Sequence, residues 1–388
     1  MPSRTISALL GALAILFPSA GRAERDQAVP GADTAVFRAQ IFNNHMPDPT
    51  DLPQTGFVWG SAIPLNLPGI IDSYYYPNQR DLDRSHTAEW FKANHPSWIT
   101  YQCDRNTPSY GYTYAWGAYV PIDTTNPDVR RYLLTTYFEP ALAKGYRAIA
   151  FDNVTLLNGD KRCGVWRDGN WLQLFTGQPR ERAHTAEKLD YIGWFAREIH
   201  KRGGLVALNA KIDPYQIEAS RKLIKLADIW VDEGGFSDAC RRRVTGDVWR
   251  LKYDFIQQRN NELYVSINYA CAQSFPLDEA ERSWIVASFL VSRNERSFLA
   301  VVPQNGTGRR WDDPNLNPPV GSPTGPAEIE GNLAKRSYDK GYVIVNFSAQ
   351  DAVTISTPSG SWRDMFGGLI GASIELPPRS GAVLIQAH

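Results

Sequence analysis

Histidine is scarce in this 388-residue chain: there are six, and no two of them form an HExxH or HxH pair. His45, His86, His95, His184, His200 and His388 fall mostly in helical or terminal segments, which argues against a catalytic metal. No GxSxG elbow is present, so the usual serine-hydrolase turn is missing. No glycine-rich loop follows a strand, so no phosphate cradle is expected. Charge of one sign is not in excess either, with 41 basic and 41 acidic residues. The longest basic run, Arg241-Arg-Arg243, reads as the solvated start of a helix. Nucleic acid is therefore not an expected partner. Beyond the N-terminus no apolar run is long enough to cross a bilayer.

The N-terminus itself reads as a secretory signal over residues 1–23. Arg4 supplies the positive end, Ile6 to Phe17 a short apolar stretch, and Gly21 and Ala23 the small residues before a cleavage site. Removal of Arg4 and Arg22 leaves 39 basic against 41 acidic residues, a mature charge of −2. An uncleaved N-terminal anchor is the alternative. Secretion or a periplasmic location follows from the first reading. Four cysteines, Cys103, Cys163, Cys240 and Cys271, suit an exported chain with two disulfides. Each lies just after an expected strand, and the expected pairs are 103–163 and 240–271. Zinc is disfavoured because no CxxC pair accompanies them.

Residues 24–56 are polar, rich in Pro and Asp, and read as an irregular lead-in. Strand-like and helix-like segments then alternate. The strands are expected at 56–62, 71–76, 98–103, 148–154, 205–211, 228–234, 263–269 and 297–302, and the helices at 86–95, 127–143, 183–202, 214–226, 243–260 and 279–291. Alternation over this length predicts an α/β fold, a (β/α)₈ TIM barrel spanning residues 57–325. Residues 62–71 leave no room for a helix between the first two strands. After a Pro, Gly and Asn-rich connection the pattern changes to short strands at 342–346, 353–356, 373–376 and 382–385. Residues 326–388 are thus expected to form a small C-terminal all-β sandwich packed on the barrel.

The run Ala148-Ile-Ala-Phe-Asp152-Asn-Val154 is apolar without alternation and ends in a carboxylate and an amide. That suits a parallel strand covered on both faces, whose C-terminal end presents reacting groups on a barrel rim. Ala227-Asp-Ile-Trp-Val-Asp-Glu233-Gly-Gly235 repeats the pattern. Asp152 and Glu233, counted on strands four and six, can meet the spacing that glycoside hydrolysis requires of two carboxyl groups. Gly234 and Gly235 would let a substrate approach the backbone closely. Asp232 competes with Glu233, although strand alternation turns it to the opposite face. Asn153, Asn209 and Asn268 also lie at strand ends. A helix cap explains each amide singly, whereas three beside two acids suit sugar hydroxyls. Tyr101 and Asp104 are candidates for another wall of the site, and Tyr74 and Tyr76 for a further one. Aromatic residues make up 12% of the chain, enough for both a core and a ring-lined cleft.

The segment Val120-Pro-Ile-Asp-Thr-Thr-Asn-Pro-Asp-Val-Arg130, a helix, and then Gly145-Tyr-Arg-Ala-Ile-Ala-Phe-Asp-Asn-Val154 resembles a group of barrel glycosidases. The group contains the endo-α-1,4-polygalactosaminidases and related hypothetical glycosyl hydrolases. His95-Pro-Ser-Trp-Ile-Thr-Tyr101 and Arg336-Ser-Tyr-Asp-Lys-Gly-Tyr-Val-Ile-Val-Asn346 are most similar to the hypothetical branch. The resemblance spans roughly residues 70–388. It implies an acid on the fourth strand and a Glu on the sixth, hence Asp152 as nucleophile and Glu233 as acid/base of a retaining enzyme. That acid role requires a carboxyl held protonated by desolvation. The chain departs locally in having Asp232 before Glu233. The expected function is an exported glycoside hydrolase that cleaves a polysaccharide or oligosaccharide with no cofactor. Its rivals are a non-catalytic carbohydrate-binding barrel and a metal-dependent polysaccharide deacetylase, which would need a His-rich ligand set.

Overall fold

A computed structural model describes residues 37–45 (backbone only), 55–110, 120–238, 242–259, 262–271, 277–303 and 316–387. The N-terminal residues expected to form a signal segment, Cys240 and most of the connection after residue 303 lie outside the described residues. Eight strands close into a parallel barrel: β1 (Phe37–His45), β2 (Thr55–Ser61), β3 (Ile71–Pro77), β4 (Ala148–Val154), β7 (Leu205–Ala210), β8 (Ile229–Asp238), β9 (Leu263–Ala270) and β10 (Ser297–Pro303). β10 pairs with β1 to complete the ring. A short antiparallel hairpin, β5 (Gly164–Arg167) and β6 (Asn170–Gln173), interrupts the chain after β4.

Two expectations change here. Residues 37–45, part of the expected irregular lead-in, form the first barrel strand, so the barrel begins before residue 57. Residues 98–103 are not a barrel strand. They follow a single 3-10 turn at Pro96–Trp98 and make only isolated bridges, Ile99 with Ile122 and Tyr101 with Pro108 and Gly164. The barrel already has its eight strands, so this segment runs over the rim as a loop. The two changes cancel in the count: Asp152 remains on the fourth barrel strand and Glu233 on the sixth.

Strand alternation divides the barrel residues between two cores. Ala148, Ala150, Ala207, Ile229, Val231, Val265 and Ile267 fill the barrel interior. Ile149, Phe151, Val206, Leu208 and Trp230 face the surrounding helices. Those helices are α1 (Ala88–Asn94), α2 (Pro127–Leu133), α3 (Glu139–Lys144), α4 (Arg182–Lys201), α5 (Ile217–Lys225), α6 (Gly246–Gln257) and α7 (Glu279–Ser292). No helix separates β2 from β3. Asn126 caps α2, its side chain accepting from the Asp128 N–H, with Pro127 in the first turn. α2 runs into α3 through a π-helical turn at Leu134–Phe138. Pro140 lies just beyond and cannot donate a backbone hydrogen bond, which suits a widened turn before it.

The C-terminal region holds a six-stranded antiparallel sheet of β11 (Glu328–Glu330), β12 (Leu333–Tyr338), β13 (Gly341–Asn346), β15 (Trp362–Asp364), β16 (Leu369–Ile370) and β18 (Ser380–Gln386). A separate two-stranded ribbon pairs β14 (Val353–Ser356) with β17 (Ser373–Leu376). Alternation along β13 sends Val343 and Val345 into the core shared with α7, while Ile344 packs with Ile355, Ile374 and Leu376 of the ribbon. The sheet is thus covered by α7 on one face and by the ribbon on the other. Trp249 of α6 stacks on Phe347 at 4.3 Å between ring centroids. Arg336 donates to the Arg293 carbonyl at 2.6 Å. These contacts fix the β region to the barrel.

Candidate active site

Interior-facing positions at the C-terminal ends of β3, β4, β7, β8 and β9 carry Tyr75, Asp152, Asn209, Glu233 and Tyr269. Each continues the alternating series of its own strand whose lower members fill the barrel, Ala148 and Ala150 before Asp152 on β4 and odd-numbered residues on the others. Asn209 Nδ2 donates to Asp152 Oδ1 at 2.7 Å and to Glu233 Oε2 at 2.6 Å. One nitrogen with two hydrogens therefore clamps both acids. Two such bonds in series hold the bridged carboxylate oxygens within about 5.3 Å, the span across which a retaining glycosidase works. Tyr75 Oη donates to Asp152 Oδ2 at 2.6 Å, and Asn153 Nδ2 reaches the same oxygen at 3.1 Å. Tyr269 Oη donates to Glu233 Oε1 at 2.5 Å. All four carboxylate oxygens are thereby oriented by donors.

Burial raises the Asp152 pKa above the usual carboxylate range; the Tyr75 hydrogen bond opposes this, and the charge of Glu233 adds to the rise. Tyr269 is held protonated chiefly by burial, then by the neighbouring Glu233 charge. Its hydroxyl is a fixed donor at neutral pH.

Backbone irregularities aim these side chains. Asn153 sits at φ 56, in the left-handed region, where the register between β4 and β7 shifts. Asn tolerates that conformation better than most residues, and the bulge turns its amide back toward Asp152. On β8 the register breaks after Glu233, with Gly234 at φ 99 and Gly235 at φ 36. A Cβ on Gly235 would lie 2.6 Å from Ser266 Oγ and 2.7 Å from Asn268 Oδ1. The group that approaches this backbone closely is therefore the Asn268 amide.

Asn268 is fully buried on the helix-facing side of β9. Its Oδ1 accepts from the Phe236 and Ser237 N–H groups at 2.9 and 3.2 Å, stapling the β8 bulge rather than meeting a ligand. Asp232 faces α6, where Lys252 Nζ contacts its two oxygens at 2.6 and 2.7 Å and Tyr264 Oη donates at 3.2 Å. Tyr74 and Tyr76 also point out of the barrel. Tyr74 packs edge-on against Tyr146, and Tyr76 donates to the Arg80 carbonyl at 2.7 Å. Tyr101 and Asp104 lie in the loop over the rim. Tyr101 is buried, and its backbone bridges to Gly164. Asp104 closes a turn by accepting from the Asn106 and Thr107 N–H groups. The structure thus brings Asp152, Asn153, Asn209 and Glu233 together, and it leaves Asn268, Asp232, Tyr74, Tyr76, Tyr101 and Asp104 out of the cluster.

Tyr75 and Tyr269, which do join the carboxylates, were one residue away from expected candidates in both cases. Cys103 and Cys163 form a disulfide that ties the rim loop to the β5–β6 hairpin. Cys271 is also disulfide-bonded, while its expected partner, Cys240, lies outside the described residues. A cavity of about 200 Å³ opens beside Glu233, lined also by Asp232 and its partner Lys252, and by Lys211, Ile212 and Asp238. Among the described residues no three His, Cys, Asp or Glu side chains converge as a metal-ion ligand set.

Comparison with solved structures finds an isomaltulose synthase mutant from Erwinia rhapontici NX5 in complex with D-glucose. The identity is 10%, the TM-score 0.49, and the match covers 93% of this chain and 100% of that one. A noncanonic maltogenic alpha-amylase from Thermotoga neapolitana matches at 10% identity and TM-score 0.48, over 92% of this chain and 100% of that one. A GH27 β-L-arabinopyranosidase from Geobacillus stearothermophilus matches at 12% identity and TM-score 0.43, over 82% and 75%. Comparison with curated protein sequences finds no match. The model of glycoside-hydrolase family GH114 matches residues 81–282, a span that contains Asp152, Asn209 and Glu233. The chain belongs to glycoside-hydrolase family GH114 and is a glycoside hydrolase.

Proposed function

We propose that the protein is an exported, retaining glycoside hydrolase that cleaves a polysaccharide or oligosaccharide through Asp152 and Glu233. The observation that carries this reading is the single Asn209 amide nitrogen bonded to both carboxylates. In the first step Asp152 attacks the anomeric carbon while Glu233 gives its proton to the departing oxygen. The glycosyl–Asp152 ester is then cleaved by water, from which Glu233 takes a proton back. Tyr75, Asn153 and Asn209 hold Asp152 in one orientation and support its charged form. Tyr269 fixes Glu233 on the opposite side of the gap. The signal-like N-terminus and the Cys103–Cys163 disulfide support export.

The test is hydrolysis of a panel of bacterial exopolysaccharides and chromogenic glycosides by the purified mature protein. Asp152→Asn and Glu233→Gln are assayed beside it. Both substitutions should remove turnover of any substrate found. Full turnover in either variant would move the chemistry to other residues. Binding of a glycan without cleavage would favour a carbohydrate-binding barrel.

A further inference from the structure

Tyr215 stands in the loop between β7 and α5 and is 77% exposed, the most exposed large hydrophobic side chain among the described residues. The loop nevertheless holds it in place. Asp213, 8% exposed, accepts through Oδ1 from the Tyr215 N–H at 3.0 Å. Its Oδ2 accepts from Gln216 Nε2 at 3.0 Å and from Arg180 Nε at 3.4 Å. Arg180 in turn lies over the Tyr215 ring, its guanidinium carbon 4.2 Å from the centroid. The cation thus backs one face of the ring, and the exposure of the residue leaves the other face to solvent.

A groove of about 550 Å³ lies beside this ring, lined by the N-terminal halves of α4 and α5 and by Pro214 and Tyr215. That volume falls within the range of clefts that hold small ligands. Barrel helices run back from the rim at which the strands end, so these helix starts lie on the same rim as the carboxylates. Pro214 lines both this groove and the cavity beside Glu233. The same loop begins at Asn209, which clamps Asp152 and Glu233. From Asn209 to Tyr215 an extended chain reaches at most about 22 Å, a few sugar units along a glycan.

We propose that Tyr215 and this groove form a distal platform for the polysaccharide being cleaved, with pyranose units remote from the scissile bond stacked on the open face of the ring. The C–H face of a pyranose is apolar and matches an aromatic ring, whereas its hydroxyls both donate and accept. Arg182 and Lys222 line the groove as donors and Glu218 as an acceptor. The platform makes the enzyme selective for long chains, because a substrate too short to reach Tyr215 gains nothing from it. The inference rests on the reading of Asp152 and Glu233 as the place of cleavage.

Two measurements test it, both on the panel of exopolysaccharides and chromogenic glycosides. In the first, Tyr215→Ala should lower kcat/KM on polysaccharide about tenfold more than on a chromogenic monoglycoside. Tyr215→Phe keeps the ring and should recover the polysaccharide value. The second does not depend on cleavage: Asp152→Asn is run in native gels cast with each polysaccharide. Adding Tyr215→Ala to that chain should weaken the retardation, with Kd rising about tenfold. Retardation that depends on Tyr215, in a parent that cleaves none of the panel, would support the platform and count against cleavage at Asp152 and Glu233. Cleavage of a polysaccharide with kinetics and retardation unaltered by Tyr215→Ala would overturn the platform and leave the hydrolase reading standing. An equal loss on polysaccharide and monoglycoside, or no retardation by any polysaccharide, would overturn it too.

Discussion

Asp152 and Glu233 share one hydrogen-bond donor, the Nδ2 of Asn209, at 2.7 and 2.6 Å. The residue between two acids is usually a cation or a shared proton, because like charges at this range repel. Here a neutral amide does the work, which keeps each carboxylate free to be charged or protonated independently of a fixed positive charge. The geometry suits a charged nucleophile, esterified in the intermediate, beside an acid/base that gives up a proton and takes one back.

Asn209→Ala should therefore reduce kcat by about 100-fold or more, the scale of losing one preorganised donor at a reacting group. KM should change much less. Steady-state kinetics on whichever substrate the glycan panel identifies checks this. A loss confined to KM would show that Asn209 serves binding alone.

Asp152→Asn should raise stability while removing activity. Because burial lifts the Asp152 pKa above its unfolded value, the folded state binds its proton more tightly than the unfolded chain does. Stability from this group is therefore lost as pH rises through the folded pKa. The amide escapes that loss. Its Tm should exceed the parent's at pH 7.5 by roughly 1–3 °C, and the gap should narrow as pH falls toward the usual carboxylate range. Melting curves at several pH values read the sign directly, and a variant less stable than the parent at neutral pH would contradict it. The same raised pKa places the acid limb of the pH–rate profile above the ordinary Asp range.

The fold was legible where pattern and burial agree. β4, β7, β8 and β9 carry compact apolar runs, and their ends presented Asp152, Asn209 and Glu233 at the correct parity. β1 was not legible, since Phe37–His45 mixes Arg38, Gln40, Asn43 and Asn44 among its apolar residues. Residues 98–103 failed in the opposite sense: they have strand-like composition but no vacant place in a closed eight-stranded ring. The tyrosines show the limit of parity reading. Tyr74-Tyr75-Tyr76 offers no polar–apolar contrast, so only the barrel fixes which ring faces inward. For β9, the inward series Val265 and Ile267 leads to Tyr269. Reading the strand-end amide as a ligand selected Asn268 instead.

Tyr269→Phe should lower kcat by about tenfold with little effect on Tm. It removes one hydroxyl from Glu233 Oε1 and leaves the ring in place. Tyr75→Phe should act similarly through Asp152. Kinetics and melting temperature together separate this orienting role from simple packing, which would move Tm and not kcat.

Gly235→Ala should cost both stability and activity. The added methyl meets Asn268 and Ser266, and φ 36 disfavours any side chain. A loss of about 2–4 kcal/mol is expected, the range for combined backbone strain and overpacking. Urea unfolding measures it. A stable, fully active Gly235→Ala protein would show that the β8 bulge tolerates a different path and does not aim Glu233.

Lys252→Met strips the buried Asp232 of its partner. Breaking such a pair costs about 3–5 kcal/mol, and a second change, Asp232→Asn, should recover part of it. The double variant should retain turnover, because the pair lies behind β8 and outside the carboxylate cluster. Loss of chemistry in a well-folded double variant would return Asp232 to contention as the acid.

The most direct test of the account is the anomeric configuration of the first product released, followed by proton NMR before mutarotation. Asp152 and Glu233 held within about 5.3 Å leave no space for a water between acid and sugar on the attacking side. The account predicts retention, with the product carrying the same anomeric configuration as the bond cleaved. An inverted first product would contradict double displacement through Asp152.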